Sequence, residues 1–92
     1  MEEHYVYYLY SIKLEKYYIG KTCSLIRRLK EHNNQEEKFT KHGIPWKLVS
    51  YIKCKDSVEA YHLENKLKKS KNKNYIKWYF EKFGTVDSSA GR

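Results

Sequence analysis

After a polar lead-in from Met1 to His4, the apolar positions open with an unbroken run, Tyr5-Val6-Tyr7-Tyr8-Leu9-Tyr10-Ser11. Aromatic and β-branched residues without alternation predict a strand covered on both faces. Residues 12–16 make a short polar connection, and Tyr17-Tyr18-Ile19 supplies a second strand, so the two form a hairpin. Gly20 is expected to end that strand, because a residue without Cβ permits close approach or an unusual φ.

A helical period follows. Thr22 or Ser24 caps the helix, and with Ser24 in that role it runs to about Asn33. Counting about 100° per residue from Leu25, Leu29 falls near 40° and Ile26 near 100°, which makes one apolar stripe. Arg28 and His32 fall roughly 60° and 20° to the other side of Leu25, at the stripe's edge, while Arg27 points about 160° away into solvent. An arginine one turn before a histidine on a buried edge, beside the strand-end Tyr18, has the makings of a site.

Residues 33–46 are polar and irregular and close on a turn signal, His42-Gly43-Ile44-Pro45-Trp46; so long a loop is a candidate binding surface. Residues 47–54 alternate well enough for a third strand. Asp56 with Glu59 reads as a capping box opening a helix to about Ser70, with Ala60, Leu63 and Leu67 buried and Glu64 flanking them. A last helix from about Asn74 to Phe83 puts Ile76, Tyr79, Phe80 and Phe83 on one face and Trp78 off it, with Gly84 as its stop. The order β-β-α-β-α-α predicts an α/β (α+β) domain over residues 1–84, a small three-stranded antiparallel sheet flanked by helices. Residues 85–92 read as a flexible tail.

Composition narrows the function. The chain has 92 residues, 40% of them apolar, which suits one folded domain with a modest core. Nineteen Lys and Arg against eleven Asp and Glu leave a net charge of +8, pointing to a polyanionic partner such as nucleic acid. A solvated lysine-rich surface is the plain alternative. Ten tyrosines suit both a thin core and a polar active site, since each ring covers apolar surface and presents a hydroxyl. Cys23 and Cys54 have no partners at metal-ligand spacing, which argues against a structural zinc site. With no signal peptide and no apolar run long enough to span a bilayer, the reading is a reduced, cytoplasmic protein.

The candidate chemistry rests on Tyr7, Tyr18, Arg28, His32 and Glu64. Phosphodiester hydrolysis needs an activated water, charge stabilisation on phosphoryl oxygens and help for the leaving oxygen. Glu64 can hold a divalent metal, since Mg²⁺ takes only one or two protein carboxylates and completes its shell with water and phosphate. Arg28 offers a fork matched to phosphate, and a phenol assisted by His32 can relay a proton. Each has a plainer role: core aromatics for Tyr7 and Tyr18, a helix C-terminal cap for His32, an i,i+4 partner of Lys68 for Glu64, and a snorkelling side chain for Arg28. Trp46 and Trp78 could stack on bases or anchor a protein.

Taken in order, these residues resemble a known family. Tyr5-Val6-Tyr7, then Tyr18-Ile19-Gly20 with Lys21-Thr22 after it, Arg27-Arg28-Leu29 and His32, and Glu64 on a later helix are similar to the GIY-YIG nucleases. The run from Glu59-Ala60 to Glu64 and Leu67-Lys68 resembles the small standalone, single-domain members. The first signature keeps only its tyrosine, with Tyr5 in place of glycine and Val6 in place of isoleucine; the second is intact. The resemblance implies a three-stranded antiparallel sheet flanked by helices and one divalent metal, Mg²⁺ or Mn²⁺, on Glu64. It further implies that Tyr7 and Tyr18 flank the attacking water, one as general base, that Arg28 clamps the phosphate, and that His32 orients or accepts a proton. Gly20 would let the backbone approach the phosphate, and Asn72 or Asn74 is open to the family's asparagine role.

The function expected is therefore a metal-dependent endonuclease acting on DNA, structured or damaged as in repair or recombination, with RNA a further candidate substrate. The first alternative is a nucleic-acid-binding module without turnover. The second is a protein-interaction domain anchored on Trp78 and Trp46.

Overall fold

The computed structural model describes residues 3–34 and 40–86. The first strand, β1 (His4–Ser11), pairs antiparallel with β2 (Lys16–Thr22) on one edge and with β3 (Trp46–Cys54) on the other. Because β1 is central, layers cover it on both sides, which is why its sequence is apolar without alternation. Val6 and Tyr8 point to one face, where they pack with Ala60, Leu67 and Phe80. Tyr7 and Leu9 point to the other, where they pack with Trp46, Leu25 and Leu29. Each such buried side chain contributes roughly 1.5–3 kcal/mol.

Three helices complete the β-β-α-β-α-α order: α1 (Leu25–Asn33), α2 (Ser57–Ser70) and α3 (Lys73–Phe83). Their starts are written in side-chain oxygens. Ser24 accepts from the amide of Arg27, Asp56 from that of Glu59 and Asn72 from that of Tyr75. The Glu59 carboxylate in turn accepts from the amide of Lys55, one residue before the cap. Helix α2 carries Ala60 and Leu67 into the core with Leu63 beside them, as its pattern predicts. No helix among the described residues is long and apolar enough to cross a membrane.

Five expectations need correction. Gly20 does not end β2; it lies inside the strand, opposite Tyr7. Ile26 is 74% exposed, because the buried face of α1 is centred on Leu25, Leu29 and a fully buried His32. Phe83 is 54% exposed at the end of α3, beside Trp78 and Tyr79. Thr85–Val86, expected in the flexible tail, form a short strand β4 against β3, giving the sheet order β2-β1-β3-β4; residues 87–92 lie outside the described residues. Trp46 is buried, with its indole N–H donating to the carbonyl of Thr40, so it cannot anchor a partner. Of the long loop, residues 35–39 lie outside the described residues, and Lys41–Gly43 form one 3₁₀ turn.

Candidate active site

The site is built where α1 crosses the tyrosine face of the sheet. Tyr7 and Gly20 are cross-strand neighbours, and the Tyr7 ring lies over the glycine. A Cβ on Gly20 would come within 2.5 Å of Tyr7 Cζ. The glycine is thus required by the phenol, a different reason from the phosphate approach that the family resemblance implies. Tyr18 is two residues back along β2, on the same face, with its ring centroid 6.3 Å from that of Tyr7.

Helix α1 delivers the other two groups. Arg28 Nε donates to the Tyr7 hydroxyl at 3.3 Å, and His32 Nε2 lies 2.9 Å from the same oxygen. The His32 ring also meets Tyr18 edge-on, centroids 5.1 Å apart. One turn apart on α1, the two residues hold a single phenol between them. His32 therefore does not cap its helix; its second nitrogen, Nδ1, lies 2.8 Å from Thr40 Oγ1. Arg28 Nη1 pairs with Glu31 at 2.7 Å, which lowers the Glu31 pKa by hydrogen bonding.

Burial sets the acidity of this cluster. Tyr7 is 2% exposed, and desolvation of its phenolate pushes the pKa up to about 12, against the opposing pull of Arg28. The Tyr18 and Glu64 charges push it further the same way. Glu64 thus acts on Tyr7 even though α2 packs on the opposite face of the sheet. It stands on the flank of the helix, its side chain 14% exposed, and pairs with Lys68 at 3.4 Å. The same Lys68 ammonium sits 5.6 Å from the centroid of the Tyr18 ring, so the Glu64 pair borders the tyrosine site at the β2 edge.

Two residues that build the site have no sequence signal. Thr40 is buried and fixes His32 from a stretch that reads only as polar loop. Asn33, at the end of α1, donates to the Trp46 carbonyl at 3.2 Å and accepts from the Trp46 amide at 2.7 Å, tying the helix end to β3. Of the two asparagines considered for a catalytic role, Asn72 is occupied as the cap of α3. Tyr5, where the first signature departs from glycine, packs edge-on against Tyr51, 5.7 Å between centroids, at the rim of the same face.

No three His, Cys, Asp or Glu side chains among the described residues stand close enough to hold a metal between them. A closed protein cage of the zinc type is therefore absent among the described residues. A single hard carboxylate, completed by water and phosphate, fits Mg²⁺ or Mn²⁺.

A phenol, an imidazole and a guanidinium joined by hydrogen bonds thus stand together on the antiparallel sheet of a strongly basic domain. The family model described as the GIY-YIG catalytic domain matches residues 3–77, and the chain belongs to that family. No curated protein matches the chain. Membership makes this a nuclease-type domain acting on DNA, from a family whose enzymes generally depend on a divalent metal.

Proposed function

We propose that the domain is an endonuclease that hydrolyses DNA phosphodiester bonds, with Tyr7, Tyr18, Arg28, His32 and Glu64 as its hydrolytic centre. The observation that carries this reading is the Tyr7 oxygen, held between His32 Nε2 at 2.9 Å and Arg28 Nε at 3.3 Å. Tyr7 donates its proton to Nε2 while accepting from Arg28, and Nδ1–H donates to Thr40. The attacking water gives its proton to the Tyr7 oxygen as Tyr7 passes its own to His32. Such a relay needs no free tyrosinate, which a phenol of pKa about 12 would supply at pH 8 in only about one molecule in ten thousand. Tyr18, at the open side of the cluster, orients the water. Arg28 offers its fork to the scissile phosphate in place of Glu31.

Glu64 would hold the divalent ion, Mg²⁺ or Mn²⁺, which when bound supplies charge stabilisation for the phosphoryl and leaving oxygens. Structured or damaged DNA of the kind met in repair or recombination is the proposed substrate. A binding module without turnover is the second reading; the Glu64–Lys68 pair, which gives the carboxylate a structural partner, favours it. Incubation with nicked, flapped and branched DNA plus Mg²⁺ or Mn²⁺ separates the two. Metal-stimulated cutting abolished by Glu64→Gln and by Arg28→Ala supports the endonuclease. Salt-sensitive binding without cutting supports the module.

A further inference from the structure

A groove of about 440 Å³ runs along the outer edge of β2, between that strand and the junction of α2 with α3. Lys16, Lys68, Lys71 and Lys73 line it together with Tyr17 and Tyr18, and no acidic side chain does. Tyr18, whose ring packs with Tyr7 on the α1 face, also lines this groove, and Lys68 of the groove lies 5.6 Å from its ring centroid, so the groove and the proposed centre meet at the β2 edge. Tyr17, 46% exposed, extends a column of rings and also meets the Tyr10 ring at a 45° tilt, centroids 4.7 Å apart. It stacks on Tyr8 at 4.6 Å and 5°, and Tyr8 stacks on the buried Phe80 at 4.6 Å and 8°. An exposed ring backed in this way is flat and already ordered, so another ring can stack on it at little entropic cost.

The lysines are placed with equal care. Lys71 ends α2 with a φ of 53°, a left-handed position that glycine or asparagine fills more readily. Lys71, in that turn, and Lys73, at the start of α3, both line the groove. Positive charge along a groove with an aromatic face is the pattern that holds single-stranded nucleic acid, because ammonium groups follow phosphates and a ring takes any base. In duplex DNA the base faces are covered by their neighbours, so Tyr17 has nothing to stack on there.

We propose that this groove holds an unpaired segment of the DNA strand being cut, with a base against Tyr17 and phosphates on Lys16, Lys71 and Lys73. The inference rests on the nuclease reading and adds the substrate class: DNA with a single-stranded arm beside the scissile bond.

Fluorescence anisotropy in EDTA, where a metal-dependent enzyme cannot cut, tests the groove by binding alone. The probes are labelled oligothymidylate and a blunt duplex of equal length. Tyr17→Ala is expected to weaken oligothymidylate binding about fivefold or more and to leave duplex binding unchanged, while Tyr17→Phe binds as wild type. The pair Lys71→Gln and Lys73→Gln is expected to lower the slope of log affinity against log salt by about 0.7 per lysine. Circular dichroism melts check each variant, and Tyr17→Leu replaces the alanine variant if that one does not fold. Wild-type binding of oligothymidylate by all variants, or an equal loss on both probes, overturns the proposal. Cutting of nicked duplex with Mg²⁺ or Mn²⁺ is scored separately. A protein that cuts while its groove variants bind normally keeps the nuclease reading and loses the groove. One that binds oligothymidylate through the groove but never cuts loses the nuclease reading and keeps a single-strand site.

Discussion

Replacing Gly20 with alanine tests whether the glycine exists to house the Tyr7 phenol. Its φ is not positive, so alanine meets no backbone strain, and the whole cost is steric. The new methyl would lie 2.5 Å from Tyr7 Cζ and 3.0 Å from Cε2. The ring cannot swing away, because it is buried between Tyr18, His32 and Arg28. Overpacking of this kind costs about 1–3 kcal/mol, while the gain from stiffening the unfolded chain is about 0.4–1 kcal/mol. The net expectation is a loss of about 1–2 kcal/mol, or roughly 4–15 °C in Tm for a domain of this size. The informative comparison repeats Gly20→Ala in a Tyr7→Leu background, where the atoms it would strike are gone. There the sign should reverse, to a gain of several tenths of a kcal/mol, measured by urea denaturation as a double-mutant cycle. Tyr7→Phe, which keeps Cζ and Cε2, should relieve only part of the clash. An equal loss from Gly20→Ala in the wild-type and Tyr7→Leu backgrounds would refute the packing argument.

Two further outcomes follow from the same cluster. Thr40→Val leaves the buried His32 Nδ1 without its hydroxyl partner, so stability should fall by about 1–3 kcal/mol and cleavage should slow, with Thr40→Ser restoring most of both. A cleavage rate unaffected by Thr40→Val in a folded protein would remove Thr40 from the relay. Alkaline titration probes the burial of Tyr7: its pKa rises from 10.0 to about 12 on folding, so the unfolded chain gives up that proton first. The stabilisation is therefore intact below pH 10 and lost as pH climbs towards 12, about 2–3 kcal/mol in all. Urea midpoints from pH 9 to 12 should fall more steeply for wild type than for Tyr7→Phe, and parallel curves would count against the burial.

Much of the architecture was legible because it depends on local chemistry. The unbroken apolar run at β1 announced a strand covered on both faces, and Ser24, one of two candidate caps, and Asp56 announced helix starts through oxygens that accept from nearby amides. The failures all concern what a residue meets across the fold. Ile26 continues an apolar stripe in the sequence, yet the sheet lies on the Arg28–His32 side of α1, and only tertiary packing decides which flank is covered. Gly20 reads as a strand end until the ring from the neighbouring strand is seen to fill the space beside it. Thr40 reads as loop because a lone hydroxyl carries no period, and its partner His32 is eight residues away. Glu64 reads as an i,i+4 partner of Lys68, which it is; its influence on Tyr7 follows from how α2 crosses the edge strand.

The central claim is that Tyr7 and His32 work as one proton-accepting unit, and single-turnover cleavage measures this most directly. Cleavage of flapped DNA in Mn²⁺ is followed for wild type, Tyr7→Phe, His32→Gln and the double variant, each first checked for folding. The expected result is a loss of about 10²–10⁴ in each single variant and no further loss in the double, as befits groups that act together. Wild-type cutting by a folded Tyr7→Phe, or losses that multiply in the double variant, would contradict it.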